Sequence, residues 1–521
     1  MKQSGSLSFL KKHFPLILLA GIILLAAFFR FYQIASLPPA LHPNEALFGN
    51  QALMLLTQNK LSLGGDLGTT GVLFIGLQAL ALWVLKVSEW SLRIVPAFFG
   101  TLAVLTTFLL AKEWFGRRVA LIASGIMAIS PWAVMMSRNG LSASLMPFFV
   151  TLGLWLATKA YRSGKMRYYV LTSIAFALGC YGYIAFILIL LPLIAVTLLL
   201  SAFRRTRLPH IKQFAVATIL FLLLIAPAIV VGVANRATLA KNISSVSVLS
   251  SSNSSDRMKL VANNTLDTIL MFNLKGDENY RHNLGGLPLL STFIGIMFIL
   301  GILVVASRPK RLSHIVLLSS FVTLLLPAIL AAGNVPNALR SAGTIPLVMI
   351  LSGIGVNYLL SRWYATFPVN GVARSIGLAL VMMLLCLSAY QGYKQYFVAW
   401  AQDPKTYVSY DEPLTQMAKF VNAESQARGL SGDNTYILVD GYADQTIHFL
   451  TYKKTEYTPI DDGGLRGLPL NKQPKLFIVA QDSVSRDKLD LIATKYPGGR
   501  VVSHYSPFNQ EKLFYSYELN K

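Results

Sequence analysis

A carboxylate with polar neighbours lies soon after the first long apolar segment of the chain. The stretch HPNEALFGNQALMLL, residues 42–56, contains His42, Asn44 and Glu45. Glu45 opens a helical pattern of apolar residues, and an acidic residue in a first turn is ordinarily a helix-start feature that the helix dipole stabilises. The functional alternative is a carboxylate at a lipid–water boundary that takes a proton from an acceptor hydroxyl, with Asn44 and His42 positioning that acceptor.

Two arginines stand apart from the other basic residues. Arg138 occurs in MMSRNGLSAS and Arg340 in NVPNALRSAG, each between two apolar segments. Such residues often extend to the water–lipid interface or contact lipid headgroups. A guanidinium also suits a phosphate well, because its planar fork donates two parallel hydrogen bonds. Either arginine could therefore stabilise negative charge on a departing lipid phosphate.

A cluster of ionisable residues precedes a later apolar segment. The sequence DENYRHN, residues 277–283, contains Asp277, Glu278, Arg281 and His282. Most such clusters are solvated helix starts, although Arg281 and His282 could also contact a substrate. An acid beside an imidazole could bind a divalent cation, but the spacing matches no known metal motif. The sequence predicts no metal ligands, and no cofactor beyond that cation is implied.

Other common classes of chemistry leave no motif in the sequence. It lacks the Gly-x-x-x-x-Gly-Lys phosphate loop, the His-Glu-x-x-His zinc motif and the Gly-x-Ser-x-Gly nucleophile motif. A nucleotide-driven pump is therefore disfavoured. Cys180 and Cys386 both lie in apolar segments, and we expect them to be packing residues without a disulfide or metal role.

The composition requires a solvent other than water for much of the chain. The 521 residues are 54% hydrophobic and 13% charged, with a mean hydropathy of +0.53, whereas about 25% charged residues is typical of soluble domains. The apolar runs approach the roughly 20 residues that cross a bilayer as a helix. The net charge of +23 does not indicate nucleic-acid binding, because the basic residues lie in short loops between these runs.

We therefore expect eleven membrane-spanning helices. The first is predicted to be retained, because its apolar run is too long for a cleaved signal peptide. The predicted spans are residues 14–33, 94–111, 119–136, 143–158, 168–182, 184–203, 214–234, 287–306, 315–332, 344–360 and 375–391.

The apolar run 71–87 is predicted to lie along the membrane interface instead of crossing it. If it does not cross, the strongly basic loops, such as those with Arg117, Arg162 and Arg308, lie on the side of the N-terminus. The positive-inside rule makes that side the cytoplasm. The N-terminus is then cytoplasmic and the C-terminus extracytoplasmic.

The chain is predicted to have two domains. Residues 1–391 form the membrane domain, with external loops at 33–93 and 235–286. The Ser/Asn-rich stretch 242–256 is expected to be mobile, because it cannot bury a core. Residues 392–521 are predicted to form a small extracytoplasmic α/β domain. Its expected strands are 435–440, 474–480, 501–505 and 512–519, and its expected helices are 413–427 and 482–496.

Three segments carry a resemblance to a known superfamily. Residues 88–140 begin with SEWSLR, contain a GRR turn and end with SPW and SRNG, while YRHNLGGLPLL and PNALRSAGTIP follow at 280–290 and 336–346. They resemble the GT-C membrane glycosyltransferases, specifically the bacterial members of the protein O-mannosyltransferase and aminoarabinose transferase superfamily. The resemblance implies an all-α polytopic membrane protein of GT-C type, with about eleven spans, interfacial helices and the small C-terminal domain.

The resemblance also implies an inverting transfer of a sugar from a polyprenyl-phosphate donor to an extracytoplasmic glycan, lipid or protein. It places the active site beside the first loop, where the superfamily usually has an Asp-Glu pair. Here the matching residues are Asn44 and Glu45, and Ser142 stands where a second acid often follows. Glu45 is then the expected catalytic base. Arg340 is the best-placed phosphate ligand, with Arg138 or Arg281 assisting.

Two other functions stay open from the sequence. The missing acids favour a non-catalytic relative that binds lipid-linked sugars during envelope glycan assembly. A transporter or flippase would need polar residues or broken helices near the bilayer midplane, and the predicted spans are largely apolar. In each case we expect a multi-pass protein of the plasma membrane whose partners include a polyprenyl-phosphate sugar and membrane lipids.

Overall fold

The computed structural model describes residues 3–58, 71–204, 210–250, 254–469, 473–481 and 483–519. Contacts within the chain divide it into two compact units. The helical unit comprises Met1–Tyr32, Ser62–Phe74 and Ile94–Trp400. The mixed unit comprises Gln33–Leu61, Ile75–Arg93 and Ala401–Lys521, so it contains residues of the first loop as well as the C-terminal segment.

Helices dominate the described part of the chain. Short 3₁₀ helices cover Ser142–Leu145, Ile184–Ile189, Val248–Ser250 and Ala342–Thr344, and a π-helix covers Lys394–Trp400. The α-helices are α1 (Gln3–Phe31), α2 (Pro43–Gln58), α3 (Val72–Leu85), α4 (Glu89–Phe115), α5 (Arg117–Ile129), α6 (Pro131–Met136), α7 (Met146–Ser163), α8 (Met166–Gly182), α9 (Leu190–Arg204), α10 (Ile211–Ala234), α11 (Arg236–Val246), α12 (Ser254–Leu270), α13 (Thr292–Ala306), α14 (Leu312–Ile329), α15 (Ile345–Thr366), α16 (Gly371–Tyr393), α17 (Pro404–Ser409), α18 (Glu412–Arg428), α19 (Asp444–Thr451), α20 (Asp462–Gly467) and α21 (Ser485–Lys495).

These helices confirm the predicted polytopic membrane fold. Each of the eleven predicted spans coincides with helical structure. Four of them coincide with shorter helices, namely α5 with α6, α8, α9 and α13. The span predicted at 119–136 is two helices because Pro131, which lacks a backbone N–H, begins a new helix. Among the described residues, seven helices are long and apolar enough to cross a membrane, namely His13–Phe31, Glu89–Phe115, Ser142–Ser163, Ile211–Ala234, Leu312–Ile329, Ala342–Thr366 and Gly371–Trp400.

Glycines allow two helices of the helical unit to approach closely. α13 packs along α15, and a Cβ atom on Gly301 would collide with the carbonyl oxygen of Leu351. A Cβ atom on Gly355 would likewise collide with the carbonyl oxygen of Met297. Close backbone contact of this kind favours helix association in lipid, where apolar burial by itself gives little driving force. A larger side chain at either glycine would force the helices apart.

The apolar run predicted to lie at the interface forms α3. This helix has 14 residues, fewer than the about 20 that cross the hydrocarbon core. Leu80, Trp83 and Val84 are exposed on it, and tryptophan is enriched at the membrane interface. The short length of α3 and its exposed Trp83 fit the predicted interfacial helix.

The mobility of the Ser/Asn-rich stretch stays a prediction, but residues 242–250 have local secondary structure that the sequence did not predict. α11 extends into this stretch, and Ser247 then forms an isolated β-bridge with Ala331. Val248 is buried, and its backbone N–H donates to the carbonyl oxygen of Leu330 at 3.0 Å. These contacts fix Val248 to the segment that ends α14. The middle of the stretch, residues 251–253, lies outside the described residues.

The C-terminal part of the mixed unit contains a five-stranded sheet. Its strands are β1 (Thr435–Leu438), β2 (Thr458–Ile460), β3 (Leu476–Ala480), β4 (Arg500–Tyr505) and β5 (Lys512–Glu518). They are arranged in the order β2-β1-β3-β5-β4; β2, β1 and β3 are parallel, and β5 is antiparallel to β3 and β4. Four strands lie where the sequence predicted them. The short β2 was not predicted, because three residues with a central proline show no alternating pattern.

Side chains of the strands and of α20 and α21 form the core beside this sheet. Buried residues run continuously along β1 and along most of β3, as expected for strands covered on both faces, whereas every residue of β4 is at least partly exposed. The buried core residues are Tyr436, Leu438, Ile460, Leu465, Phe477, Val479, Leu489, Ile492, Tyr496, Tyr515 and Tyr517. This core confirms the predicted α/β character of the C-terminal segment.

Glu412, the first residue of α18, gives a pH-dependent prediction. Its carboxylate accepts hydrogen bonds from Ser506 at 3.0 Å and from Gln416 at 3.4 Å, yet burial raises its pKa above the ordinary value. The folded state therefore holds this proton more tightly than the unfolded state does, and the carboxyl group destabilises the fold increasingly as pH rises through the raised pKa. We expect Glu412→Gln to gain stability relative to wild type as pH rises above about 4, the ordinary range of a glutamate pKa.

The measurement is the melting temperature of the full-length protein in detergent at a series of pH values. Glu456→Gln, at an exposed carboxyl of the same unit, is the matched control and should show no such trend. A difference between Glu412→Gln and wild type that stays constant with pH would contradict the prediction.

Candidate functional site

Glu45 lies in a buried ion pair within the mixed unit. Arg93, in the second turn of α4, donates a hydrogen bond from Nη2 to Glu45 Oε2 at 3.1 Å. Arg93 is 0% exposed and Glu45 is 2% exposed. The same guanidinium donates to the carbonyl oxygens of Pro38 at 2.6 Å and Ala40 at 2.5 Å. One side chain therefore fastens the backbone of the first loop to the first turn of α2.

Burial makes the two charges of this pair dependent on each other. Removing either ion from water costs several kcal/mol, and only the partner and the surrounding hydrogen bonds offset that cost. In this arrangement the Arg93 guanidinium also occupies Glu45 Oε2, so this oxygen is not available to take a proton from an acceptor. Glu45 therefore has the geometry of an anchor, with its carboxylate directed at Arg93.

His42 and Asn44 lie in a hydrogen-bonded network of the same unit. The Asn44 backbone N–H donates to His42 Nδ1 at 3.1 Å, which places the ring proton on Nε2, 3.4 Å from Asp411 Oδ2. The hydroxyl of Tyr442 donates to Asn44 Oδ1 at 3.0 Å. The structure thus brings together His42, Asn44 and Glu45, as the sequence predicted, and adds Asp411 and Tyr442, which it did not.

The start of α2 is held by α18 and α19. The Leu41 backbone N–H donates to Thr415 Oγ1 at 3.0 Å, and the Leu41 carbonyl oxygen accepts from Thr446 Oγ1 at 3.1 Å. A Cβ atom on Gly49 would lie 2.7 Å from the Phe449 ring, so glycine permits the close packing of α2 on α19. These contacts give the polar residues at the start of α2 a fixed support.

Arg138, in the helical unit, caps the C-terminal end of α1 with its side chain. Its Nη1 donates to the carbonyl oxygens of Phe29 (3.1 Å), Arg30 (2.9 Å) and Tyr32 (2.8 Å), and its Nε donates to the Tyr396 hydroxyl (2.9 Å). The last carbonyl groups of a helix lack partners within it, and a cation there is stabilised by the helix dipole. Arg138 is 0% exposed, so it has a structural task besides any contact with a ligand.

Asp277 links two loops of the helical unit. Its Oδ1 accepts from the Asn279 backbone N–H at 2.8 Å, and its Oδ2 accepts from the Ala338 backbone N–H at 2.8 Å. His282 Nδ1 lies 3.2 Å from the same Oδ2. Asp277 is 2% exposed and His282 is 4% exposed. This carboxylate therefore joins its own loop to the loop that carries Arg340.

The loop that carries Arg340 is fixed at several further points. Trp132 Nε1 donates to the Ala338 carbonyl oxygen at 3.2 Å, and the Ser341 hydroxyl donates to the Asn337 carbonyl oxygen at 3.0 Å. The backbone N–H of Arg340 itself donates to Asn337 Oδ1 at 2.9 Å. The residue is partly exposed. A guanidinium with solvent access on a rigid loop is suited to binding an anion.

The predicted residues of the helical unit form one connected set. Asn139, next to Arg138, donates from Nδ2 to the Arg281 carbonyl oxygen at 2.6 Å. His282 follows directly and contacts Asp277, which leads to the Arg340 loop. The predicted site residues therefore fall into two groups, one in each unit.

Sequence reasoning missed Arg93, Asp411 and Tyr442. Arg93 had a local signal, since it is the arginine of SEWSLR and stands beside an apolar run. Tyr442 had none, because it pairs with a residue 398 positions away. Among the residues that the structure describes, no three His, Cys, Asp or Glu side chains are arranged to hold a metal ion.

One segment of the chain matches a known family. Residues 71–231 match the family described as dolichyl-phosphate-mannose-protein mannosyltransferase. Over 90 residues the chain is 37% identical to the Bacillus subtilis (strain 168) protein YkcB, which is named as a suspected mannosyltransferase. That match spans 17% of this chain and only 13% of YkcB.

Solved structures share the fold over nearly the whole chain. ArnT from Cupriavidus metallidurans in the apo state has a TM-score of 0.62 at 12% identity, over 96% of this chain and 97% of that one. The Archaeoglobus fulgidus oligosaccharyltransferase tethered with an acceptor peptide has a TM-score of 0.58 at 14% identity, over 99% and 75%. At such identities the similarity establishes the fold and not the activity. The chain therefore has the fold of these membrane glycosyltransferases, and residues 71–231 match a mannosyltransferase family, which confirms the resemblance that the motifs predicted.

Proposed function

We propose that this protein transfers a sugar from a polyprenyl-phosphate donor to an extracytoplasmic acceptor, with inversion at the anomeric carbon. The observation that supports this most is the anchored first loop, in which the Glu45–Arg93 pair fixes Asn44 and His42 within a chain of GT-C fold. ArnT from Cupriavidus metallidurans was solved with undecaprenyl phosphate, and AglB from Archaeoglobus fulgidus with a dolichol-phosphate. A lipid-phosphate carrier therefore suits this fold.

In the proposed reaction, an acceptor hydroxyl attacks the anomeric carbon on the face opposite the phosphate. The new C–O bond forms while the bond to the phosphate oxygen breaks, and the lipid phosphate leaves with the bonding electrons. Arg340, with Arg281 and His282 on the connected loop, stabilises this charge. The hydroxyl proton goes either to Glu45, which must first separate from Arg93, or to the departing phosphate. The buried ion pair favours the phosphate.

One observation favours a second function, the binding of a lipid-linked sugar without catalysis. The two positions that are usually acidic hold Asn44, whose amide oxygen accepts from Tyr442, and Ser142, which is buried at the start of a 3₁₀ helix. Neither side chain can act as a base at neutral pH. Such a protein could present a lipid-linked sugar to an enzyme that assembles envelope glycans.

A transfer assay with the full-length protein distinguishes these functions. The protein is reconstituted in liposomes with polyprenyl-phosphate hexoses or pentoses that carry a labelled sugar, and fractions of envelope glycan, glycolipid and protein are added. We expect label to appear in one acceptor fraction, with release of an equal amount of polyprenyl phosphate. Donor binding without transfer to any fraction would support the binding function instead. A parallel assay with a chelator shows whether a divalent cation contributes.

We also propose that the N-terminus is cytoplasmic and the C-terminal segment extracytoplasmic. The distribution of basic loops supports this orientation. Alkaline phosphatase, which is active only outside the cytoplasm, should be active when fused after Lys521, a residue outside the described part of the chain. A green fluorescent protein fusion at the same position that fluoresces while the phosphatase fusion is inactive would overturn the orientation.

A further inference from the structure

Four side chains of the mixed unit form a compact patch that the ion pair of Glu45 does not explain. We call His42, Asn44, Asp411 and Tyr442 the aromatic-polar cluster. Tyr442 and Asn44 are hydrogen-bonded, His42 contacts both Asn44 and Asp411, and the His42 and Tyr442 rings meet edge to face with centroids 6.3 Å apart. The cluster therefore combines one aromatic face with an amide, a carboxylate and an imidazole.

The Tyr442 ring is exposed but fixed in place. It is 50% exposed, although its hydroxyl donates to Asn44 Oδ1 at 3.0 Å. Asp440 Oδ1 accepts from the backbone N–H groups of Tyr442 at 3.0 Å and Ala443 at 2.7 Å. This side chain is therefore largely ordered before any ligand binds, so that binding costs little further conformational entropy. A fixed, exposed aromatic face is a surface on which a partly apolar ring can pack.

The polar members of the cluster present donors and acceptors side by side. Asn44 is partly exposed and carries an amide with two N–H donors, while the Asp411 side chain is 43% exposed and offers carboxylate oxygens. His42 Nδ1 accepts from the Asn44 backbone N–H and is therefore already occupied. Because the patch contains a carboxylate and neither a guanidinium nor an ammonium group, it suits a neutral polar ligand better than a phosphate.

The backbone at Asp411 is also held in an uncommon conformation. Its φ of 53° and ψ of 52° lie in the left-handed region, which side chains other than glycine adopt at some cost. Residues held in such conformations are concentrated at functional sites. Here the conformation accompanies the approach of the Asp411 carboxylate to His42.

We propose that the aromatic-polar cluster binds a neutral saccharide ring. The C–H groups on one face of a sugar pack on the Tyr442 ring, while Asn44 and Asp411 bond adjacent hydroxyl groups, one by donating and the other by accepting. The proposal rests on the proposed function and adds to it that a sugar is recognised in the mixed unit. The sugar ring belongs either to the acceptor glycan or to the donor. A substitution in the cluster changes KM for the acceptor in the first case and KM for the donor in the second.

Direct binding to the full-length protein tests this site without turnover. The protein is kept in a detergent without a sugar headgroup, and the probes are a neutral hexose oligosaccharide, an acidic oligosaccharide and a Ser/Thr-rich peptide. Saturation-transfer NMR should show contact with the neutral oligosaccharide. Tyr442→Ala should weaken its binding by about tenfold, whereas Tyr442→Phe, which keeps the ring, should lose no more than about threefold. Tyr505→Ala removes a tyrosine of similar exposure, 53%, and is the matched control.

Transfer kinetics then identify the source of the sugar. If the cluster binds the acceptor, Tyr442→Ala raises KM for the acceptor; if it binds the donor sugar, it raises KM for the donor. Wild-type protein that binds no saccharide, or binds only the peptide, would overturn the proposal, as would Tyr442→Ala binding like Tyr505→Ala. Sugar transfer by that same wild-type protein would show that the proposed function stands without this site.

Discussion

Replacing Arg93 by alanine should lower the free energy of unfolding by about 3–5 kcal/mol and abolish sugar transfer. The substitution leaves Glu45 as a buried, uncompensated charge and removes the donor from the carbonyl oxygens of Pro38 and Ala40. Each buried acceptor that loses its partner adds to the cost. The measurements are denaturant unfolding of the full-length protein in detergent and the liposome transfer assay.

Two further variants separate loss of the anchor from a general effect of removing charge. Lys419→Ala breaks a pair with Glu89, 3.5 Å apart, in which the lysine is 55% exposed, and should change the free energy of unfolding by no more than about 1 kcal/mol. Arg93→Lys keeps the charge but cannot reach three acceptors with a planar fork, so its effect should be intermediate. Equal stability of Arg93→Ala and Lys419→Ala would show that the buried pair does not anchor the first loop.

Glu45→Gln then determines where the acceptor proton goes. Glutamine can still accept a hydrogen bond from Arg93, but it cannot take a proton. Because the carboxylate is already paired, we expect transfer to persist within about tenfold of wild type. A loss of kcat of about 10²–10⁴-fold with unchanged stability would instead identify Glu45 as the base.

The helical fold could be predicted from the sequence because the hydrocarbon of a bilayer offers the backbone no hydrogen-bond partners. A chain in hydrocarbon must satisfy its own hydrogen bonds, so each long apolar run becomes a helix. The strand pattern in residues 435–518 was similarly local, since it depends on side chains that alternate or run continuously along short segments. Pro131 shows the limit, because the apolar pattern crosses it without interruption although the helix does not.

The candidate site was predictable only in part, because its pairings are not local. Asn44 and Glu45 share a helix start that the sequence shows directly. Their partners Tyr442 and Arg93 come from distant segments, and nothing near 44 or 45 indicates which cation or hydroxyl would approach. The β-bridge of Ser247 with Ala331 was missed for the same reason, since the two residues are far apart in the sequence.

Replacing Arg340 by alanine should lower kcat for sugar transfer by about 10²–10³-fold and leave the free energy of unfolding nearly unchanged. The partly exposed side chain stabilises the lipid phosphate as it departs, and several bonds that hold its loop are made by the backbone and by other residues. Arg340→Lys should recover only part of the rate, because lysine keeps the charge without the fork. Arg374→Ala, at an exposed arginine at the start of α16, is the control and should transfer sugar normally.

Asp277→Asn distinguishes the charge of Arg340 from its placement. The amide can replace only one of the two carboxylate oxygens that accept from Asn279 and Ala338, so the loop loses a fixed point while Arg340 stays present. We expect KM for the donor to rise more than kcat falls, the reverse of the Arg340→Ala pattern. If both variants transfer sugar at the wild-type rate, the phosphate is held elsewhere. If Asp277→Asn alone is impaired, the loop positions a residue other than Arg340 that binds the sugar donor. His282, whose Nδ1 faces Asp277, is then the next residue to replace.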